Sequence, residues 1–153
     1  MPLKEKEIAA KIREEHERIK QDMKKIHTLT GAHVSQEGYA KWRLDLIWLL
    51  RDFKNALQKH FDLEEEGGFM TDVVKIAPQN INAVQKLETE HETMNAMMEE
   101  ILTSLKDQEE KDDLKLEALR QRIGEFFEVL ESHEAAEGDL IESTYLQDEG
   151  MAD

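Results

Sequence analysis

The stretch from Leu116 to Leu140, LEALRQRIGEFFEVLESHEAAEGDL, carries a clear helical pattern. Its apolar residues recur in alternating steps of three and four, and a histidine and a glutamate fall on the same series. This alternation places every such residue on one face of an α-helix, so it predicts a helix with one buried seam. The seam residues are Leu116, Leu119, Ile123, Phe126, Leu130, His133, Glu137 and Leu140.

Three earlier segments repeat the pattern. The first has Ile12, His16, Ile19, Met23 and Ile26 on its seam. The second has Leu46, Leu50, Phe53, Leu57, His60 and Glu64. The third has Val84, Leu87, His91, Met94, Met98, Ile101 and Leu105. Short breaks between helices make neighbours antiparallel, so we predict an all-α, up-down-up-down antiparallel four-helix bundle that forms one domain over residues 1–153.

The predicted breaks lie at Gly31, at Gly67-Gly68 and at residues 107–113. The apolar stretch 69–77 is expected to add a turn at one end of the bundle. The first break raises a problem of register, because His16 lies about 15 residues before it and His60 about 24 after it, a mismatch of roughly 14 Å. We therefore expect the first helix to continue past Gly31, with the turn near residues 35–38.

Composition narrows the classes of function. The 153 residues include 35 acidic and 20 basic side chains, a formal net charge of -15, which disfavours binding to nucleic acid or to an anionic membrane. The chain has no cysteine, which excludes disulfides, thiolate metal sites and cysteine nucleophiles. No apolar run approaches the ~18 residues of a membrane span, and the N-terminus lacks a signal peptide pattern. We expect a cytoplasmic protein.

Polar residues on the predicted seams indicate a metal site. Each segment places one histidine there, and the second and fourth add a glutamate four residues later, one helical turn away on the same face. Burying these groups without a positive partner is costly, and no lysine or arginine lies on the seams. Imidazole and carboxylate donors suit iron, manganese or zinc. Six ligands exceed the needs of one tetrahedral ion, whereas two bridging carboxylates suit two ions with open positions for small molecules.

The order of these motifs resembles the hemerythrin-like, or HHE cation-binding, domain family over nearly the whole chain. The matching residues are His16, His60 with Glu64, His91, and His133 with Glu137. The resemblance implies that His16 and His60 bind one iron, and that His91 and His133 bind the other. It further implies that Glu64 and Glu137 bridge the two Fe ions, together with an oxo or hydroxo group.

The resemblance also bears on function. Oxygen-carrying hemerythrins have a fifth histidine, in a His-x-x-x-His motif, at the place where this chain has Asn95. Four-histidine relatives include di-iron sensors of iron and oxygen and proteins that repair iron–sulfur clusters. We therefore expect a non-haem di-iron protein that binds or senses dioxygen, nitric oxide or iron, and a small diatomic ligand as its partner.

Two other classes of function stay open. One is a di-iron redox enzyme of oxidase, peroxidase or cluster-repair type, and the other is a metal-free interaction bundle in which the histidines only pack. A ferritin-like catalyst is disfavoured because the chain has only one Glu-x-x-His motif, Glu88 to His91. His27 and His33 are expected on the surface, and Trp42 and Trp48 are expected to be packing residues on the second helix.

Overall fold

The computed structural model describes residues 2–146, and these contain five α-helices and no β-strand. They are α1 (Pro2–Gly31), α2 (Tyr39–Glu65), α3 (Phe69–Ile76), α4 (Ile81–Asp107) and α5 (Asp113–Ile141). A 3-10 turn (Pro78–Asn80) precedes α4, and a π-helical turn (Glu142–Leu146) follows α5. The four long helices contact one another in the cyclic order α1, α2, α4, α5. This arrangement confirms the predicted all-α four-helix bundle.

The interior of the bundle consists of two apolar clusters of unequal size. The larger cluster includes Ile19, Met94 and Leu130, and the smaller one includes Ile12 and Leu140. On each long helix a seam histidine lies between residues of the two clusters, so a polar layer crosses the bundle between them. The seam pattern of the sequence therefore matches the buried face of each helix.

Helix α3 packs on one end of the bundle, as the apolar stretch 69–77 predicted. Its residues Phe69 and Val73 are fully buried in the smaller cluster. The preceding turn depends on Gly68, whose φ of 97° lies in the left-handed region that glycine adopts without strain. At Gly67 an added Cβ would lie 2.2 Å from the carbonyl oxygen of Leu63, so a larger residue does not fit there.

The connection between α1 and α2 corrects one prediction. Helix α1 ends at Gly31 instead of continuing past it, whereas the turn falls at residues 36–38, where it was expected. The Trp42 indole donates to the carbonyl oxygen of Leu29 at 2.8 Å, so the start of α2 reaches beyond the last turn of α1. From His16 to the end of α1 there are 15 residues, and from the start of α2 to His60 there are 21, so the mismatch of register is about 9 Å at the helical rise per residue. Residues 32–38, which are not helical, span this difference.

The two tryptophans differ in environment. Trp42 is buried, as expected, but Trp48 is 61% exposed, so the prediction that it packs in the bundle is wrong. The Arg51 guanidinium lies over the Trp48 ring at 5.8 Å from its centroid. Trp48 is one turn after the exposed Leu44 and lies off the buried seam of α2.

Candidate metal centre

All six predicted ligand residues lie together in the polar layer of the bundle. Glu64 and Glu137 are 0% exposed, and His16, at 9%, is the most exposed of the six. No lysine or arginine is buried among the side chains that the structure describes. The layer therefore has no positive side chain to balance its carboxylates.

One half of the layer comprises His16, His60, Glu64 and Glu137. Each of these residues offers one donor atom, and the four atoms lie within 4.8 Å of one another. The Nε2 atom of His16 is 3.1 Å from Oε1 of Glu137, and the Nε2 atom of His60 is 3.5 Å from Oε1 of Glu64. These donors come from three helices and have the spacing of a site for one cation.

The other half comprises His91 and His133 with the same two glutamates, again within 4.8 Å. The Nε2 atom of His91 is 3.1 Å from Oε1 of Glu64, and the Nε2 atom of His133 is 3.4 Å from Oε1 of Glu137. Glu64 and Glu137 thus belong to both groups of four. The two groups that could hold a metal ion are therefore joined by two common carboxylates.

Four of the donor atoms of the layer lack a hydrogen-bond partner. Both carboxylate oxygens of Glu64, Oε2 of Glu137 and Nε2 of His60 are buried without a hydrogen bond. Unpaired buried polar atoms are costly, and those of an ionised carboxylate particularly so. A cation among them would satisfy all of these atoms, so the residues fit a metal of the imidazole and carboxylate type.

The histidines differ in their electrostatic surroundings. Burial, together with the neighbouring His133 and His60, lowers the pKa of His91 to about 3. Burial also lowers the pKa of His133. Burial acts to lower the pKa of His60 as well, but the carboxylates of Glu137 and Glu15 outweigh it and raise that pKa above its ordinary value. His91 therefore stays neutral, the form in which imidazole binds metal.

Acid is expected to destabilise the metal-free protein through His91. Its pKa is lower in the folded than in the unfolded chain, so the unfolded chain binds more protons between pH 6.5 and about 3. The free energy of unfolding should fall by roughly 3 kcal/mol from this group as pH drops from 6.5 to 4. His133 acts in the same direction. The raised pKa of His60 changes stability only above pH 6.5, outside this window.

Urea unfolding of the metal-free protein at pH 6.5 and at pH 4 measures this effect. In the variant His91→Gln the free energy of unfolding should depend less on pH, by the contribution of the one proton that His91 binds in the unfolded chain. The variant His27→Gln is the control, because His27 is exposed. An equal pH dependence in His91→Gln and the unaltered chain would contradict the assignment.

Four further carboxylates surround the layer, and sequence reasoning gave them no role. Each lies against the outward-facing Nδ1 atom of one layer histidine. The pairs are Glu15 with His60 at 2.8 Å, Glu90 with His133 at 2.8 Å, Glu65 with His91 at 3.3 Å, and Glu134 with His16 at 3.7 Å. Burial, as the largest cause, raises the pKa of Glu134 and that of Glu65. Their position in the sequence was an available signal, since each directly precedes or follows a predicted ligand.

Two surface pockets adjoin the His16 and His60 half of the layer. One, of about 400 Å³, lies between α1 and α2 and is lined by His60 and Glu15 among others. The second, of about 440 Å³, lies between α1 and α5 and is lined by His16, Glu134 and Gly138 among others. Neither includes His91 or His133 in its lining, so both approach the layer from the side of α1.

The other residues singled out by the sequence lie outside the layer. His27 and His33 are exposed, as predicted. Asn95, at the place of the fifth histidine, is half-buried on α4 one turn after His91. Its amide would replace an imidazole donor with a group that binds metals weakly.

The fold and this site define a class: an α-helical bundle with a buried His/Glu cluster able to hold metal ions. The hemerythrin HHE cation-binding domain matches residues 7–140, and the chain therefore belongs to that family. No match was found among curated proteins or among solved structures. Within the part of the chain that the structure describes, no helix is both long and apolar enough to cross a membrane.

Proposed function

We propose that this protein is a non-haem di-iron protein that binds or senses a small diatomic molecule, dioxygen or nitric oxide. The proposed ligands are His16, His60, Glu64, His91, His133 and Glu137. The observation that carries the proposal is the sharing of Glu64 and Glu137 between two groups of four donors. A single ion would leave one histidine pair without a role.

Iron is favoured over other metals by two arguments. The donors are imidazole and carboxylate only, a set that suits iron, manganese and zinc but not copper(I). The chain belongs to the hemerythrin HHE cation-binding family, and its resemblance to the di-iron members of that family favours iron over zinc. Bound iron would supply open coordination positions and one-electron redox chemistry, while the chain holds the ions away from bulk solvent.

The pockets support a role in binding small molecules. A molecule the size of dioxygen or azide would approach the His16 and His60 half of the site, since both pockets border it. The His91 and His133 half is bordered by neither pocket, although His60 is as deeply buried as His91. This asymmetry suits a centre in which exchange occurs at one ion and the other ion is protected.

Filling the pocket between α1 and α5 should slow the entry of ligands. Gly138 lines this pocket, and an added Cβ there meets nothing within 4 Å, so Gly138→Leu should extend into the pocket without a clash. We expect the rate of azide or nitric oxide binding to the iron-loaded protein to fall about tenfold, with iron content unchanged. Stopped-flow absorbance measures this rate.

Gly124→Leu is the matched control. Gly124 also lies in α5 and also has open space at its Cβ, but it lines neither pocket beside the layer. The access route is wrong if Gly138→Leu and Gly124→Leu bind azide at the same rate.

Iron reconstitution tests the proposed function as a whole. About two irons per chain are expected after anaerobic loading with ferrous iron, and an optical spectrum recorded before and after exposure to air and to nitric oxide should change. Fewer than about one metal per chain would favour the metal-free interaction bundle instead. A long-lived, reversible dioxygen adduct would favour carriage, whereas rapid oxidation would favour sensing or redox chemistry. Turnover of peroxide by the loaded protein would support the alternative, a di-iron redox enzyme.

A further inference from the structure

The four outer carboxylates form a closed ring around the polar layer. Helix α1 supplies Glu15 to a histidine of α2, and α2 supplies Glu65 to a histidine of α4. Helix α4 supplies Glu90 to a histidine of α5, and α5 supplies Glu134 to a histidine of α1. Every long helix therefore donates one carboxylate to the next helix, always in the same direction around the bundle.

Each layer histidine has its two ring nitrogens in different roles. Nε2 faces the donor atoms of the layer, and Nδ1 faces the outer carboxylate of the neighbouring helix. At His60 and His133 the Nδ1 contact is the shorter one, 2.8 Å against 3.5 and 3.4 Å from Nε2 to the nearest carboxylate oxygen, whereas at His16 and His91 the shorter contact, 3.1 Å, is made by Nε2. A carboxylate only accepts hydrogen bonds, so the hydrogen of His60 and of His133 lies on Nδ1. The neutral imidazole then keeps its lone pair on Nε2, where a metal ligand needs it.

The ring is tightest at Glu15 and Glu90. The Nδ1 atom of His60 donates to Oε1 of Glu15 at 2.8 Å, and the Nδ1 atom of His133 donates to Oε1 of Glu90 at 2.8 Å. One of these bonds is made by a histidine of each half of the layer, His60 in the first and His133 in the second. The contacts of Glu65 and Glu134 are longer, at 3.3 and 3.7 Å.

We propose that Glu15 and Glu90 are positioning residues that fix the Nδ1–H tautomer of His60 and His133, and that their charge biases the centre toward its oxidised state. The second half rests on the proposed di-iron function. A carboxylate behind a metal-bound imidazole fixes the ring and strengthens its donation to the metal. Its negative charge also stabilises the more positive oxidised ions, and this effect is larger in a buried site than in water.

The consequence is a centre that loses electrons readily. Six carboxylates lie within or against the layer, and no buried lysine or arginine offsets them in the described part of the chain. Such surroundings favour oxidation on contact with dioxygen over stable reversible binding. The ring thus favours a sensing or redox role over carriage.

The tautomer is tested in the metal-free protein. Nitrogen-15 NMR of the imidazoles at alkaline pH should show His60 and His133 with hydrogen on Nδ1. In Glu15→Ala and Glu90→Ala the affected histidine should shift to a mixture of tautomers, with at least a tenfold loss of the Nδ1–H preference. The controls are Glu14→Ala and Glu100→Ala, exposed glutamates on the same helices. Unchanged tautomers in both test variants would overturn the positioning role.

The redox effect is tested by potentiometry of the iron-loaded protein. Glu15→Gln and Glu90→Gln keep the size of the side chain but remove its charge. Each should retain two irons and lower the ratio of oxidised to reduced centre about tenfold at a fixed potential, with Glu14→Gln as the control. The same ratio in both test variants as in the unaltered chain would overturn the redox role. If the unaltered chain binds no iron, the proposed function fails, and the metal-free NMR experiment still decides the tautomer.

Discussion

The Glu137→Ala variant is expected to hold fewer than roughly one iron per chain where the unaltered protein holds about two. Glu137 belongs to both groups of four donors, and Oε1 of its carboxylate lies within 4 Å of His16, His60 and His133. One substitution therefore removes a ligand from each ion at once. Loss of a histidine such as His16 removes a donor from only one group and should be less damaging.

Metal analysis after reconstitution and desalting measures this loss. Glu131→Ala is a matched control, since Glu131 lies on the same helix and is exposed. His27→Ala and His33→Ala should also retain both metals. If Glu137→Ala holds as much iron as Glu131→Ala, the assignment of Glu137 as a shared ligand is wrong.

Removal of metal is expected to lower the melting temperature by about 15–30 °C. Each ion present at ~1,000 times its dissociation constant stabilises the folded chain by about 4 kcal/mol. Two ions contribute about 8 kcal/mol, and each kcal/mol corresponds to about 2–4 °C for a protein of this size. Scanning calorimetry of the iron-loaded and the metal-free protein measures the difference.

The variant Glu64→Gln should raise the stability of the metal-free protein and reduce the stabilisation that metal provides. In the metal-free protein the carboxylate of Glu64 is fully buried, and its Oε1 lies 3.1 Å from Nε2 of His91. Both oxygens of this carboxylate lack a hydrogen bond, so its buried charge is costly, whereas a neutral glutamine amide of the same size costs less to bury. We expect Glu64→Gln to stabilise the metal-free protein by about 1–3 kcal/mol and to lose most of the stabilisation by metal. A less stable metal-free Glu64→Gln protein would contradict this account.

The helical bundle and the polar layer could be predicted because both repeat with the period of a helix. The seam from Leu116 to Leu140 fixes one face of α5, and the same spacing on the other long helices fixes theirs. Burial of a histidine on every seam followed from that periodicity alone. The pairing of helices followed from the short connections between them.

The features that could not be predicted from the sequence depend on how the helices contact one another. The prediction that α1 continues past Gly31 was wrong, because the difference in register is taken up by the non-helical connection. Trp48 was misplaced because its apolar ring suggested burial although it lies off the seam. The outer carboxylates adjoin predicted ligands in the sequence, but each contacts a histidine of a neighbouring helix, and that pairing is set only when the helices pack.

The polar layer between the two apolar clusters also has a consequence for how the protein unfolds. The smaller cluster, with α3, adjoins the larger one across a layer in which both oxygens of Glu64 and one of Glu137 have no hydrogen bond when no metal is bound. Bound cations join the two sides of that layer and make the molecule one cooperative unit. The amide protons of α3 should therefore exchange with solvent earlier than those of the larger cluster in metal-free protein, and together with them once metal is bound.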